Sequence, residues 1–123
     1  MTTAIETPAT RADNLTAELA AAVFRVDKFI VPSPSLPTFM ARMKEIQQMV
    51  RELPGCRRDL LLQQTGGAGE FNVVRIIEWA SAEAVTSALA AMQQRFKDEG
   101  FDPTAFFVKQ LGAKTDFGLY RVA

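Results

Sequence analysis

Apolar residues along this chain follow two periods. Where they alternate or run together they predict strands, and where they recur every three or four residues they predict helices. "VFRVDKFIV" is rich in β-branched and aromatic side chains and is stopped by "PSPS", which predicts a first strand. Leu36, Phe39, Met40, Met43, Ile46, Val50 and Leu53 then recur at helical spacing, with charged and amide side chains largely between them. Ser35 is placed to cap that helix, Pro37 suits its first turn, and Pro54-Gly55 ends it. "CRRDLLLQQ" predicts a second strand, joined through the flexible "TGGAGE" to a third in "FNVVRIIEW", so these two form an antiparallel hairpin. Ser81 is placed to cap a second helix with Val85, Ala88, Leu89, Met92 and Phe96 on one face and Gly100 at its end. Asp102-Pro103 opens a short extra helix, "PTAFFVKQL", before a last strand, "TDFGLYRV". The order β-α-β-β-α-β predicts an α+β, ferredoxin-like fold with a four-stranded antiparallel sheet. Residues 1–21, a polar stretch followed by "NLTAELAAA", read as an N-terminal arm, partly disordered or helical, ahead of a domain spanning 22–123.

The third strand is apolar on both faces. Alternation sets Phe71, Val73, Ile77 and Trp79 on one side and Val74 and Ile76 on the other. Right-handed crossovers bring both main helices to the same side of the sheet, leaving the other side without cover. At about 25 cal/mol per Å² of apolar surface, several wet aliphatic side chains forfeit several kcal/mol, much of a domain's net stability. The pattern therefore predicts a homodimer packed through the sheet faces.

Composition narrows the chemistry. The 14 basic and 14 acidic side chains cancel, which argues against nucleic acid or an anionic membrane as partner. No apolar run approaches the roughly 18 residues of a membrane span. A single cysteine, Cys56, and a polar start without a signal-peptide pattern read as a cytoplasmic protein. Histidine is absent, which excludes a His-based triad and the usual zinc sites, and no paired carboxylates suggest a magnesium site. No metal or cofactor is expected.

Two stretches resemble the antibiotic biosynthesis monooxygenase family of the dimeric α/β barrel superfamily. They are "LPGCRRDLLLQ", like the family's Pro-Gly step into its second strand, and "FNVVRIIEWASAEAVTSAL", like its strand ending in Trp, followed by Ser or Thr and a helix. The resemblance spans roughly Val23 to Val122 and implies dimerisation through the sheets. Haem-degrading relatives use a Trp at the end of this strand, a His on the following helix and an Asn in the first strand. Here Trp79 is present, Leu89 stands at the histidine position, and the first strand has no asparagine, so haem degradation is disfavoured. Cofactor-free relatives oxygenate electron-rich polycyclic phenols, whose own anion passes an electron to oxygen. The resemblance implies an Asn, a Trp and an Arg around that pocket, and the similar positions are Asn72, Trp79 and Arg75.

Each candidate has a structural alternative. Trp79 either stacks on a flat substrate or is core. Arg75, set between Val73 and Ile77, either contacts a ligand or finds an internal partner such as Asp27, Asp116 or Glu78 across a dimer contact. Alternation puts Asn72 on the face opposite Arg75 and Trp79 unless a bulge intervenes. Leu89, Phe106 and Phe107 either line a cavity for an aromatic ligand or plug it, and Tyr120 either donates a hydrogen bond there or sits wet at a sheet margin. The sequence thus points to a dimer that binds a small aromatic or apolar molecule. Arg75 and Trp79 are its candidate catalytic residues for cofactor-independent oxygenation, and Asn72, Leu89, Phe106, Phe107 and Tyr120 its candidate binding residues. The alternative is a non-catalytic dimerisation or ligand-carrier domain.

Overall fold

The structure, a computed structural model, describes residues 16–123. The expected arm falls mostly outside the described residues; residues 16–21 are helical and lead directly into the first strand. The elements that follow are β1 (Val23–Ile30), a single 3-10 turn (Ser33–Ser35), α1 (Leu36–Arg51), β2 (Cys56–Gln63), β3 (Val73–Trp79), α2 (Ala82–Glu99), a π-helical segment (Thr104–Gln110) and β4 (Lys114–Tyr120). The strands form one antiparallel sheet in the order β2-β3-β1-β4, the ferredoxin-like arrangement that the element order predicts. Among the described residues no helix is long and apolar enough to cross a membrane.

The helix ends follow local chemistry with one exception. Ser81 is extended and its Oγ accepts a hydrogen bond from Ala84 N at 3.2 Å, capping α2, while Gly100 closes that helix at φ 66° in the left-handed region. Ser35 makes no such bond to α1: it already has helical dihedrals inside the 3-10 turn, and a serine needs an extended backbone to aim its oxygen at the first turn. The Pro-Gly step has a tertiary cause. Gly55 has φ 85° and accepts a hydrogen bond from Ala80 N at 2.8 Å, and a Cβ at Gly55 would lie 2.5 Å from Ala84 Cβ. The end of α1 is thereby seated on the corner where β3 passes into α2. That seat explains why a strand ends on Trp79 and a helix begins almost at once.

Strand register decides which side chains face the helices. Trp79, Ile77, Arg75 and Val73 of β3 lie opposite Val23, Arg25, Asp27 and Phe29 of β1, and this face carries the core. Phe39 of α1 packs edge-on against Phe29 and Phe107, with ring centroids 5.0 Å apart in each pair. The centre of the opposite face is aliphatic across three strands, with Lys28, Arg58, Glu78, Lys114 and Asp116 around it. Leu60 and Leu62 of β2 pair with Ile76 and Val74 of β3, and Ile76 pairs with Val26 of β1. Leu60 and Leu62 are 40% and 46% exposed.

Candidate functional site

Between the covered face of the sheet, α1, α2 and the π-helical segment lies a cavity of about 600 Å³. Strand alternation sends Arg25 and Asp27 from β1 and Arg75 from β3 into its floor. Val85, Leu89 and Phe96 of α2 form one wall, and Phe101, Phe107 and Phe117 form much of the rest. The shape follows from the chain's use of phenylalanine after α2. Phe96, Phe101, Phe106 and Phe107 pack mostly edge to face with centroid spacings of 5.1 to 6.2 Å, and Phe96, Phe101 and Phe107 line the space with Phe106 behind them.

Two ion pairs set the polarity of the floor. Arg75 is buried and meets Asp59 of β2 in a two-point contact, with Nε donating to Oδ1 at 3.0 Å and Nη2 to Oδ2 at 2.7 Å. The Asp59 side chain is 0% exposed and also accepts from Gln47 Nε2 at 3.0 Å, while Arg51 Nη2 donates to the Asp59 carbonyl at 3.0 Å. The remaining Arg75 nitrogen, Nη1, points to Met43 Sδ at 3.6 Å. The internal partner of Arg75 is therefore Asp59, which the sequence reading did not consider. Asp27, one of the partners it did consider, accepts from Arg25 Nε at 2.9 Å, and the Arg25 guanidinium lies 5.1 Å from the centre of the Phe117 ring.

The cavity gathers three of the expected site residues, Arg75, Leu89 and Phe107. The other four lie off its wall. Trp79 is 4% exposed and packs in the core at the end of β3, opposite Val23 and Cys56. Asn72 uses its side chain on backbone, accepting from Val31 N and donating to Val31 O at 2.8 Å each, which ties the start of β3 to the end of β1. Phe106 sits behind Phe107 in the aromatic stack. Tyr120 pairs with Phe24 on the opposite face of the sheet and is 49% exposed. Sequence reasoning missed Arg25, Asp59 and Gln47. The signal for Arg25 and Asp27 was present, because period two in "VFRVDKFI" places both on the face of Val23 and Phe29. Cys56 lies beside this network, and burial first, then the Asp59 carboxylate, push its thiol above the ordinary value, so it is not an activated nucleophile.

No protein-family model matches the chain, and no curated protein matches it by sequence. Solved structures do match by shape. SnoaB from Streptomyces nogalater, a cofactor-independent oxygenase, superposes with a TM-score of 0.63 at 24% identity, covering 85% of this chain and 95% of its own. A conserved protein from Methanosarcina mazei Go1 gives a TM-score of 0.70 at 18% identity, covering 88% and 99%. A variant of MhuD holding two manganese protoporphyrin IX molecules per active site gives 0.63 at 17% identity, covering 82% and 94%. The donor set here does not fit a metal porphyrin. The chain has no histidine, Cys56 and Tyr120 lie off the cavity wall, and Met43 and Met92 leave only weak thioether ligands of the usual axial kinds. The resemblance carried by the Pro-Gly and Trp-Ser motifs thus holds at the level of architecture: the chain has a ferredoxin-like α+β fold, shared with these three structures.

Proposed function

We propose that this protein binds a small aromatic or phenolic molecule in the cavity between sheet and helices, as a homodimer joined through the outer sheet faces, and oxygenates it without a cofactor. One observation carries the reading. A space of about 600 Å³, within the range of small-molecule sites, is walled by phenylalanines and floored by buried charged side chains, in a fold shared with a cofactor-independent oxygenase. In such a reaction the anion of an electron-rich phenol passes an electron to O₂, oxygen joins carbon, and loss of water leaves a carbonyl. The protein's task is to hold the ring and meet the developing oxyanion with oriented donors. Arg75 is assigned that second role through Nη1, which faces only the weakly accepting Met43 sulfur at 3.6 Å, because Nε and Nη2 are taken up by Asp59. Leu89 and Phe107 hold the ring. Trp79 acts from behind the wall by fixing the strand end that carries α2, and Asn72, Phe106 and Tyr120 support the frame. The apolar outer face supports the dimer.

The second reading, a non-catalytic carrier, is favoured by the same two-point engagement of Arg75 with Asp59. Oxygen uptake with a panel of anthrone-like phenols separates the two. Turnover is expected, and Leu89→Trp, at an exposed wall position on α2, should block the cavity and lower uptake roughly tenfold or more with the fold intact. Binding of the phenols without any uptake would favour the carrier.

A further inference from the structure

The polar group that meets the ligand in this cavity need not be the arginine. Both Asp59 oxygens accept from Arg75, and one accepts from Gln47 as well, so that pair is satisfied internally. Asp27 differs. Among the described residues its carboxylate receives one side-chain hydrogen bond, at Oδ1 from Arg25 Nε. Every fully enclosed side-chain nitrogen or oxygen among those residues has a partner, so Oδ2 borders accessible space, and the space that Asp27 lines is the cavity. A carboxylate held 96% out of solvent gains a strong, charge-assisted hydrogen bond from any donor delivered to it.

We propose that Asp27 is the recognition group of the site. Its Oδ2 accepts a hydrogen bond from a hydroxyl on the aromatic ligand, and it selects phenols and enols over their ethers and over carboxylates. Arg25 fixes the carboxylate by its bond to Oδ1 and holds its own guanidinium against Phe117. Carboxylate ligands are disfavoured because they would bring a second anion to Oδ2 while both floor arginines are already paired. Phe107 and Phe117, lining the same cavity, suit a flat ring attached to that hydroxyl. The proposal rests on the cavity being a binding site, as argued above, but not on the oxygenation step.

Calorimetric titration of the full chain with 1-naphthol, 1-methoxynaphthalene and 1-naphthoate tests it. Wild type should bind the naphthol roughly tenfold or more tightly than the ether, with the carboxylate weakest. Asp27→Asn, nearly isosteric, should bring naphthol and ether within about threefold of each other and improve naphthoate. Circular dichroism reports whether that variant folds, and the wild-type ranking stands without it. Equal wild-type affinity for naphthol and ether overturns the role of Asp27 while leaving the cavity as a binding site, as does an undiminished preference in folded Asp27→Asn. Wild type that binds none of the three overturns both readings.

Discussion

The two faces of the sheet place their charges differently. The face covered by helices carries Arg25, Asp27, Asp59 and Arg75 at its centre, whereas the other face centres on Val26, Leu60, Leu62, Val74 and Ile76 and has Lys28, Arg58, Glu78, Lys114 and Asp116 around them. Charges on a covered face persist only if they are paired, and here they are, as Arg25 with Asp27 and Arg75 with Asp59. Aliphatic side chains on an open face persist when something else covers them. On the proposed reading the covered face takes a ligand and the open face takes a protein surface of the same kind. Breaking one pair on the first, or adding one charge to the second, should have effects of different type.

The largest effect is expected on the covered face. Asp59→Ala leaves the buried Arg75 guanidinium without a carboxylate and Gln47 without its side-chain acceptor. Such a change costs about 3–5 kcal/mol, read as a shift in the denaturant midpoint with little change in slope. Replacing the pair together, Asp59→Leu with Arg75→Met, should recover most of that loss, since an apolar pair needs no partner. A loss below about 1 kcal/mol in Asp59→Ala would mean that the pair is wet and the floor is not a dry site.

Ile76→Asp tests the open face. Ile76 lies at its centre, opposite Leu60 on one side and Val26 on the other, so a carboxylate there would be buried unpaired in a face-to-face dimer. Dimer dissociation should strengthen by roughly a hundredfold or more in sedimentation velocity, with the monomer's circular dichroism unchanged. A wild-type chain that sediments as a monomer at micromolar concentration would remove the comparison's second half.

These faces were legible in the sequence to different degrees. The element order and the two-sided β3 followed from periodicity, because Val73, Ile77 and Trp79 and the intervening Val74 and Ile76 keep strict alternation through a regular strand. The Arg75 partner did not follow. An irregularity between Cys56 and Arg58 shifts the register of β2, so the facing of Asp59 depends on a backbone feature that "CRRDLLLQ" does not announce. Asn72 reads in the sequence as one more polar strand residue, and only the fold brings Val31 within reach of its amide. Trp79 is a case of resemblance outrunning packing: the motif marks the β3–α2 corner correctly, yet the ring fills core and the cavity forms further along α2.

The smallest effect sharpens the comparison through thiol chemistry. Burial and Asp59 raise the Cys56 thiol above its ordinary 9.0, so at pH 8 it holds less thiolate than a free cysteine and should alkylate with iodoacetamide several times more slowly. The sign for stability follows. As pH rises past the ordinary value the unfolded chain loses the proton first, so the native state loses stability with pH, and Cys56→Ala should flatten that fall between pH 8 and 10. Leu62→Cys in the Cys56→Ala background places a thiol on the open face, at a position 46% exposed in the single chain. If copies pair through that face, its labelling should be slow at micromolar concentration and speed up on dilution, whereas Cys56 in the wild type should label at one slow rate throughout. Equal rates at the two positions, independent of concentration, would mean that the faces are equally wet and that neither is shaped for what the comparison assigns to it.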